Sequence, residues 1–304
     1  MSTVSVSALR KNFGKVQAVR NVSFEVYPGE IFGLLGPNGA GKTTVIRMMM
    51  DIFRPDGGEI SILGGKLNEE KKRQIGYLPE ERGLYKDLSP EKALIFLATL
   101  KGLSESEARS RLSGWLDRLD LSEHRTKKVQ ELSKGMQQKA QLILTLLHEP
   151  DLIVIDEPFS GLDPVNTRLV KDIIEEQRQA DRTIIMSTHQ MFQAEALCNR
   201  IVLIDHGRSV LYGEVSRIKH DFAGNAICVQ GQGNFSHIPG ILQARCQNGS
   251  YQMTLEAGIS PQDIFRSLAQ MEDVKIERFE ISEPSLDDIF ISTVQGDHAE
   301  ASYA

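Results

Sequence analysis

Cysteine is scarce in this 304-residue chain: Cys198, Cys228 and Cys246 stand far apart. Their spacing leaves out paired metal-binding and redox motifs, and suits a reducing cytosol. A surplus of positive charge is missing too. Lys and Arg total 35 against 41 Asp and Glu, a formal net charge of -6 with a pI near 5.7. That balance argues against a broad nucleic-acid surface, which needs clustered cations to neutralise phosphates. Local runs such as "NEEKKR" mix both signs and read as a solvated helix face. Long apolar runs are also lacking. The stretch "LILTLLHEPDLIVIDEP" is interrupted by His148, Glu149, Pro150 and Asp151, so it falls short of the roughly 18 residues that a bilayer span requires. The opening "MSTVSVSALRKNFG" alternates like a strand and has no signal-peptide core. Work at a membrane then calls for a second chain to span it.

What is present is globular. With 40% hydrophobic and 25% charged residues, neither a disordered nor a fibrous class fits, and the length accommodates one large domain and one small. "VSVSAL" and "VRNVSFEV" alternate as an antiparallel opening layer before the turn Pro28-Gly29. "EIFGLL" reads as a buried strand, and "KTTVIRMMMDIF" has helical length and spacing. After the strands "EISIL" and "IGYL", helix starts appear at Ser89-Pro90, at the capping box Ser104–Glu107 and at Ser133. Residues 82–148 therefore read as a helical insertion in an α/β core. The core resumes with "LIVID", "TIIMST" and "IVLID", separated by helical segments as in a mainly parallel sheet, and closes with "SVLY". The expected domains are 1–221 and 222–304. The second is a small α+β unit with a hairpin turn at Asn248-Gly249 and a final helix carrying Asp287 and Asp288 in its first turn, where they complement the helix dipole.

"GPNGAGKTT" carries the clearest chemistry. Gly36, Pro37, Asn38, Gly39, Ala40, Gly41, Lys42, Thr43 and Thr44 fit the P-loop pattern between a buried strand and a helix. Glycine lets backbone amides wrap phosphates, Lys42 reaches the β and γ groups, and Thr43 offers its hydroxyl to Mg²⁺. A glycine-rich turn with a helix cap would explain the glycines but not Lys42 and Thr43 together. "LIVIDEP" delivers Asp156 and Glu157 at a strand end, where α/β sheets place ligands. Asp156 is a candidate Mg²⁺ holder, and Glu157 a candidate base for an attacking water. His189, closing "TIIMSTH", is a candidate γ-phosphate sensor. Ser133 and Gly135 in "ELSKGMQQK" look like a weaker phosphate site or, more simply, a serine N-cap.

In the order "GPNGAGKTT", "GYLPEE", "ELSKGMQQK", "LIVIDEP", "SGLD" and "STH", the chain resembles the ATP-binding subunit of an ABC transporter over residues 3–215. The resemblance implies the P-loop NTPase fold of the ABC ATPases, with ATP and Mg²⁺ as cofactors. It also implies a head-to-tail dimer of two copies in which Ser133 and Gly135 of one serve the ATP held by the other. Phe13 would stack on adenine; an ordinary strand-end core aromatic is the other reasonable reading. Asp163 would link the two sites, with Glu157 as general base.

Two departures stand out. Lys134 and Met136 replace a glycine and a glutamine of the LSGGQ-type signature, and Glu80 stands where the family usually has a glutamine contacting Mg²⁺. A carboxylate there implies stronger Mg²⁺ dependence. "GYLPEERGLY", "LSKGMQQK" and the "PSLDDIF" tail resemble ABC-2-type exporters, including the sodium-extrusion type. The implied setting is the cytoplasmic face of the inner membrane, held by a separate multispan permease, with Na⁺ and drugs both fitting as cargo. The rival is a soluble ABC ATPase acting on ribosomes or nucleic acid; such chains generally carry two cassettes or a long coiled coil, and this sequence shows neither.

Overall fold

Two alternating strands open the chain in the computed structural model, which describes residues 1–81, 83–222, 226–232, 235, 238–247, 250–256, 258–271, 274–282 and 284–301. β1 (Val4–Phe13) and β2 (Val16–Val26) pair antiparallel. Strict alternation would place Ala8 inward after Val4 and Val6. Instead Ala8 adopts φ +47, the register slips between Val6 and Leu9, and Leu9 takes the core position. Such a bulge adds one residue to one strand and re-aims those that follow.

Next come β3 (Ile31–Leu35), α1 (Lys42–Met49), β4 (Gly57–Ile62), α2 (Glu69–Arg73) and β5 (Ile75–Leu78). All five residues of β3 are buried, as a strand covered on both faces should be. The helix expected to run to Phe53 stops at Met49. Asp51 is left-handed at φ +59, and the amides of Asp51 and Ile52 bond back to the carbonyls of Met48 and Arg47, closing the helix in a Schellman turn.

The helical insertion holds α3 (Pro90–Leu100), capped by Ser89, α4 (Glu105–Arg118), closed by the Ser104–Glu107 capping box, and α5 (Lys134–Leu146), capped by Ser133. The core then adds β6 (Leu152–Asp156), α6 (Pro164–Gln179), β7 (Thr183–Thr188), α7 (Met191–Leu197), β8 (Arg200–Asp205) and β9 (Arg208–Glu214). One nine-stranded sheet results, in the order β4-β1-β2-β9-β8-β3-β7-β6-β5. From β8 to β5 its strands run parallel, so Asp205, Leu35, Thr188, Asp156 and Leu78 all end on one edge. That edge is where such sheets bind ligands.

The first compact unit covers Met1–Glu214 and the second Val215–Ala304, which puts α8 (Val215–Phe222) with the C-terminal part rather than before a boundary at 221. The second unit has an antiparallel sheet ordered β11-β12-β10-β13, from β10 (Ala226–Gln232), β11 (Ile241–Gln247), β12 (Ser250–Leu255) and β13 (Lys275–Ile281). α9 (Pro261–Ala269) buries Ile264 and Leu268 in a core shared with Ile227, Val229, Met253 and Leu255. At the start of α10 (Leu286–Ala301), Asp288 and Ser285 cap one another through side chain and backbone. The Asn248-Gly249 turn lies outside the described residues. No helix among the described residues is long and apolar enough to cross a membrane.

Candidate functional site

Leaving β3, the chain turns through residues 36–41 directly into α1. Gly36 sits at φ +145, and a β-carbon there would meet the Ile204 carbonyl oxygen at 2.1 Å. Only glycine lets the loop run this close to β8. The first turn of α1 carries no acidic residue, so the partial positive charge of the helix end and loop amides is left for an anion. Lys42 is 6% exposed; its Nζ donates to the carbonyls of Gly36 (2.8 Å) and Pro37 (3.1 Å) and lies 3.7 Å from Glu157 Oε1. Burial lowers its pKa, opposed by the charges of Glu157 and Asp156.

Asp156 ends β6 at 1% exposure. Its Oδ1 accepts a hydrogen bond from the Ser187 hydroxyl on β7, while its Oδ2 is buried without a hydrogen-bond partner. Burial pushes its pKa up, and the hydroxyls of Ser187 and Thr43 pull it the other way. An open carboxylate oxygen beside a threonine hydroxyl suits a hard divalent cation. Among the described residues no three acidic, His or Cys groups are assembled to hold a metal unaided, so a cation here needs further oxygens, such as those of a phosphate chain.

Glu157 is left-handed at φ +52, its amide 3.2 Å from both the carbonyl and the hydroxyl of Ser187. Its carboxylate, 7% exposed, meets His189 Nδ1 at 2.9 Å. Lys42, Asn38, Gly39, Gly41, Thr43, Thr44, Glu80 and Glu157 line an open cleft of about 260 Å³, together with Ala18. A smaller polar cavity of about 40 Å³ shares Glu80 and Glu157 and adds Asp156, Gln138, Gln141 and Ser160.

The expected residues therefore fall into two groups. The P-loop, Glu80, Asp156, Glu157 and His189 converge. Ser133, Gly135, Asp163 and Phe13 do not line the cleft. Ser133 is exposed and accepts the Met136 amide at 3.2 Å, and a side chain on Gly135 would come within 3.9 Å of Leu162. Asp163 is exposed and caps α6 by accepting the Asn166 amide at 2.9 Å, which holds its carboxyl below the usual range. Phe13 is 43% exposed, with its ring edge-on to Phe53 at 5.3 Å; it is no core aromatic.

Four contributors escaped the sequence. Ala18 reaches the cleft from β2, and Ser187 braces both acids. The amides of Gln138 and Gln141 on α5 donate to the carbonyls of Pro158 (2.7 Å) and Glu81 (3.2 Å). A polar residue inside the apolar run "TIIMST" is the one local hint, for Ser187.

Comparison with known proteins supplies the family. Residues 19–160 match the family described as ABC transporter, and residues 213–294 match the ATP-binding protein DrrA1-3-like C-terminal domain. An uncharacterized ABC transporter ATP-binding protein of Alkalihalophilus pseudofirmus is 40% identical over 86% of this chain and 98% of its own length. The Nod factor export ATP-binding protein I of a Rhizobium species is 30% identical, covering 95% of each chain. A solved ATP-binding subunit of an ABC transporter superposes with a TM-score of 0.68 at 35% identity, over 73% of this chain and 93% of that one.

Proposed function

The chain belongs to the ABC transporter family as an ATP-binding subunit, and from that premise we propose that it hydrolyses ATP to drive export through a separate membrane permease. The carrying observation is the cluster at the parallel sheet's edge: Lys42 and His189 both meet Glu157 Oε1, at 3.7 and 2.9 Å, and the neighbouring Asp156 has one buried oxygen with no hydrogen-bond partner.

The residues suggest their parts. Loop amides and the α1 N-terminus seat the triphosphate, and Lys42 exchanges its two carbonyl acceptors for phosphate oxygens. Thr43 and Asp156 would hold Mg²⁺, with Glu80 lining the same cleft as Thr43; the ion would neutralise charge on the phosphates. Glu157 accepts the proton of the attacking water, and His189, bonded to Oε1, fixes that carboxylate's direction. Phe13, 43% exposed at the end of β1 with Lys11 Nζ 5.5 Å over its ring, would stack on adenine once that ammonium moves aside. Ser133, Gly135 and Asp163 stand away from the cleft of their own chain, which supports a site completed by a second copy.

Similarity to a Nod factor export subunit, together with the DrrA-like C-terminal domain, supports export rather than import. The subunit would act at the cytoplasmic face of the membrane, with cargo, whether Na⁺ or a drug, chosen largely by the permease. Substituting Glu157→Gln should lower hydrolysis roughly 10²- to 10⁴-fold while ATP still binds. Hydrolysis at the parental rate would remove Glu157 from its role.

A further inference from the structure

Ser187 is fully buried in β7, between β3 and β6, within a strand whose other buried side chains are mainly apolar. A hydroxyl there costs free energy unless its hydrogen bonds are made. They are made entirely to the two acids. The register pairs Ser187 with Asp156, its hydroxyl donates to Asp156 Oδ1, and the same oxygen stands 3.2 Å from the Glu157 amide as an acceptor.

We propose that Ser187 is a positioning residue for the metal–nucleotide site: by occupying Asp156 Oδ1, it fixes the carboxylate so that Oδ2 is the oxygen left open toward the metal. A carboxylate's terminal torsion is broad and its two oxygens are equivalent, so what the donor fixes is the angle: an aspartate without it can turn its carboxylate plane so that neither oxygen faces the metal. The Glu157 amide keeps a second acceptor, the Ser187 backbone carbonyl at 3.2 Å. Loss of the hydroxyl therefore leaves the left-handed turn at Glu157 in place and falls on the orientation of Asp156. The bland alternative is a serine merely satisfied by a convenient neighbour, with its bulk filling the strand interface.

This inference rests on the ATP–metal reading above, and the experiment separates the two. Ser187→Ala, Ser187→Val and Ser187→Thr would be compared with the parental protein; Val and Thr share a shape and differ in the hydroxyl. One readout is the dissociation constant of Mn²⁺ with ADP present, from loss of the free-ion EPR signal. The other is ATP binding in EDTA. Positioning by the hydroxyl predicts that Ala and Val weaken Mn²⁺ about 10- to 100-fold, the usual effect of removing a ligand's supporting hydrogen bond. Thr should stay near the parental value, and metal-free ATP binding should be the same in all four proteins. Equal weakening by Val and Thr, or parental Mn²⁺ affinity in Ala, overturns the proposal. A parental protein that takes up no Mn²⁺ with ADP present overturns the site reading itself.

Discussion

Replacing Gly36 by alanine tests how closely the phosphate loop is pressed against the sheet. The added β-carbon would lie 2.1 Å from the Ile204 carbonyl oxygen, and the backbone sits at φ +145. Holding a non-glycine residue in so sparse a region costs about 1–3 kcal/mol. The obstructing atom is backbone of a central strand and cannot swing aside, so relief requires the loop and β8 to part, at about 1–3 kcal/mol more. The sum, about 2–6 kcal/mol, corresponds to a melting point lowered by roughly 4–24 °C at the ~2–4 °C per kcal/mol of a domain this size. Gly39→Ala is the control. Its φ is +82 but nothing lies within 4 Å of the new carbon, so only the left-handed strain of about 1–2 kcal/mol remains. Nucleotide-free melting followed by circular dichroism should rank parental above Gly39→Ala above Gly36→Ala. Equal melting of the two variants would refute the close approach.

Three further outcomes follow from the site. Asp156→Asn should melt higher than the parental protein near neutral pH, because burial raises the Asp156 pKa; with the folded value above the unfolded one, the penalty grows as pH rises and should vanish below about pH 4, so a gain that persisted in acid would contradict it. Glu80→Gln removes negative charge from the cleft that Lys42 also lines, so it should bind metal-free ATP more tightly and need less Mg²⁺; superimposable titrations would rule this out. His189→Ala should lower the hydrolysis rate more than the affinity for ATP, since its bond at 2.9 Å is to the Glu157 carboxylate; a loss confined to affinity would point to phosphate contact alone.

Legibility in the sequence tracked distance along the chain. The phosphate loop and the Asp156–Glu157 pair were readable because their chemistry lies within one turn or one strand end. The caps at Ser89 and Ser104 were readable for the same reason. The end of α1 was not, because an aspartate rather than a glycine takes the left-handed position at Asp51. Ser187 stood out in the sequence only as a polar residue in an apolar run, and its part became visible through its register with Asp156, 31 residues away. Gln138 and Gln141 likewise gain meaning only once α5 is placed against the ends of β5 and β6. Strand order was out of reach for that reason: β9, last of the core strands in sequence, lies between β2 and β8.

In the proposed dimer, Ser133 of one copy completes the site built on Lys42 and Glu157 of the other. Mixing two damaged chains tests it most directly, one carrying Glu157→Gln and the other Ser133 replaced by a bulky residue. Two nearly inactive proteins should regain ATP hydrolysis on mixing, since each mixed pair holds one intact combination. A mixture no faster than the mean of its two components would contradict it.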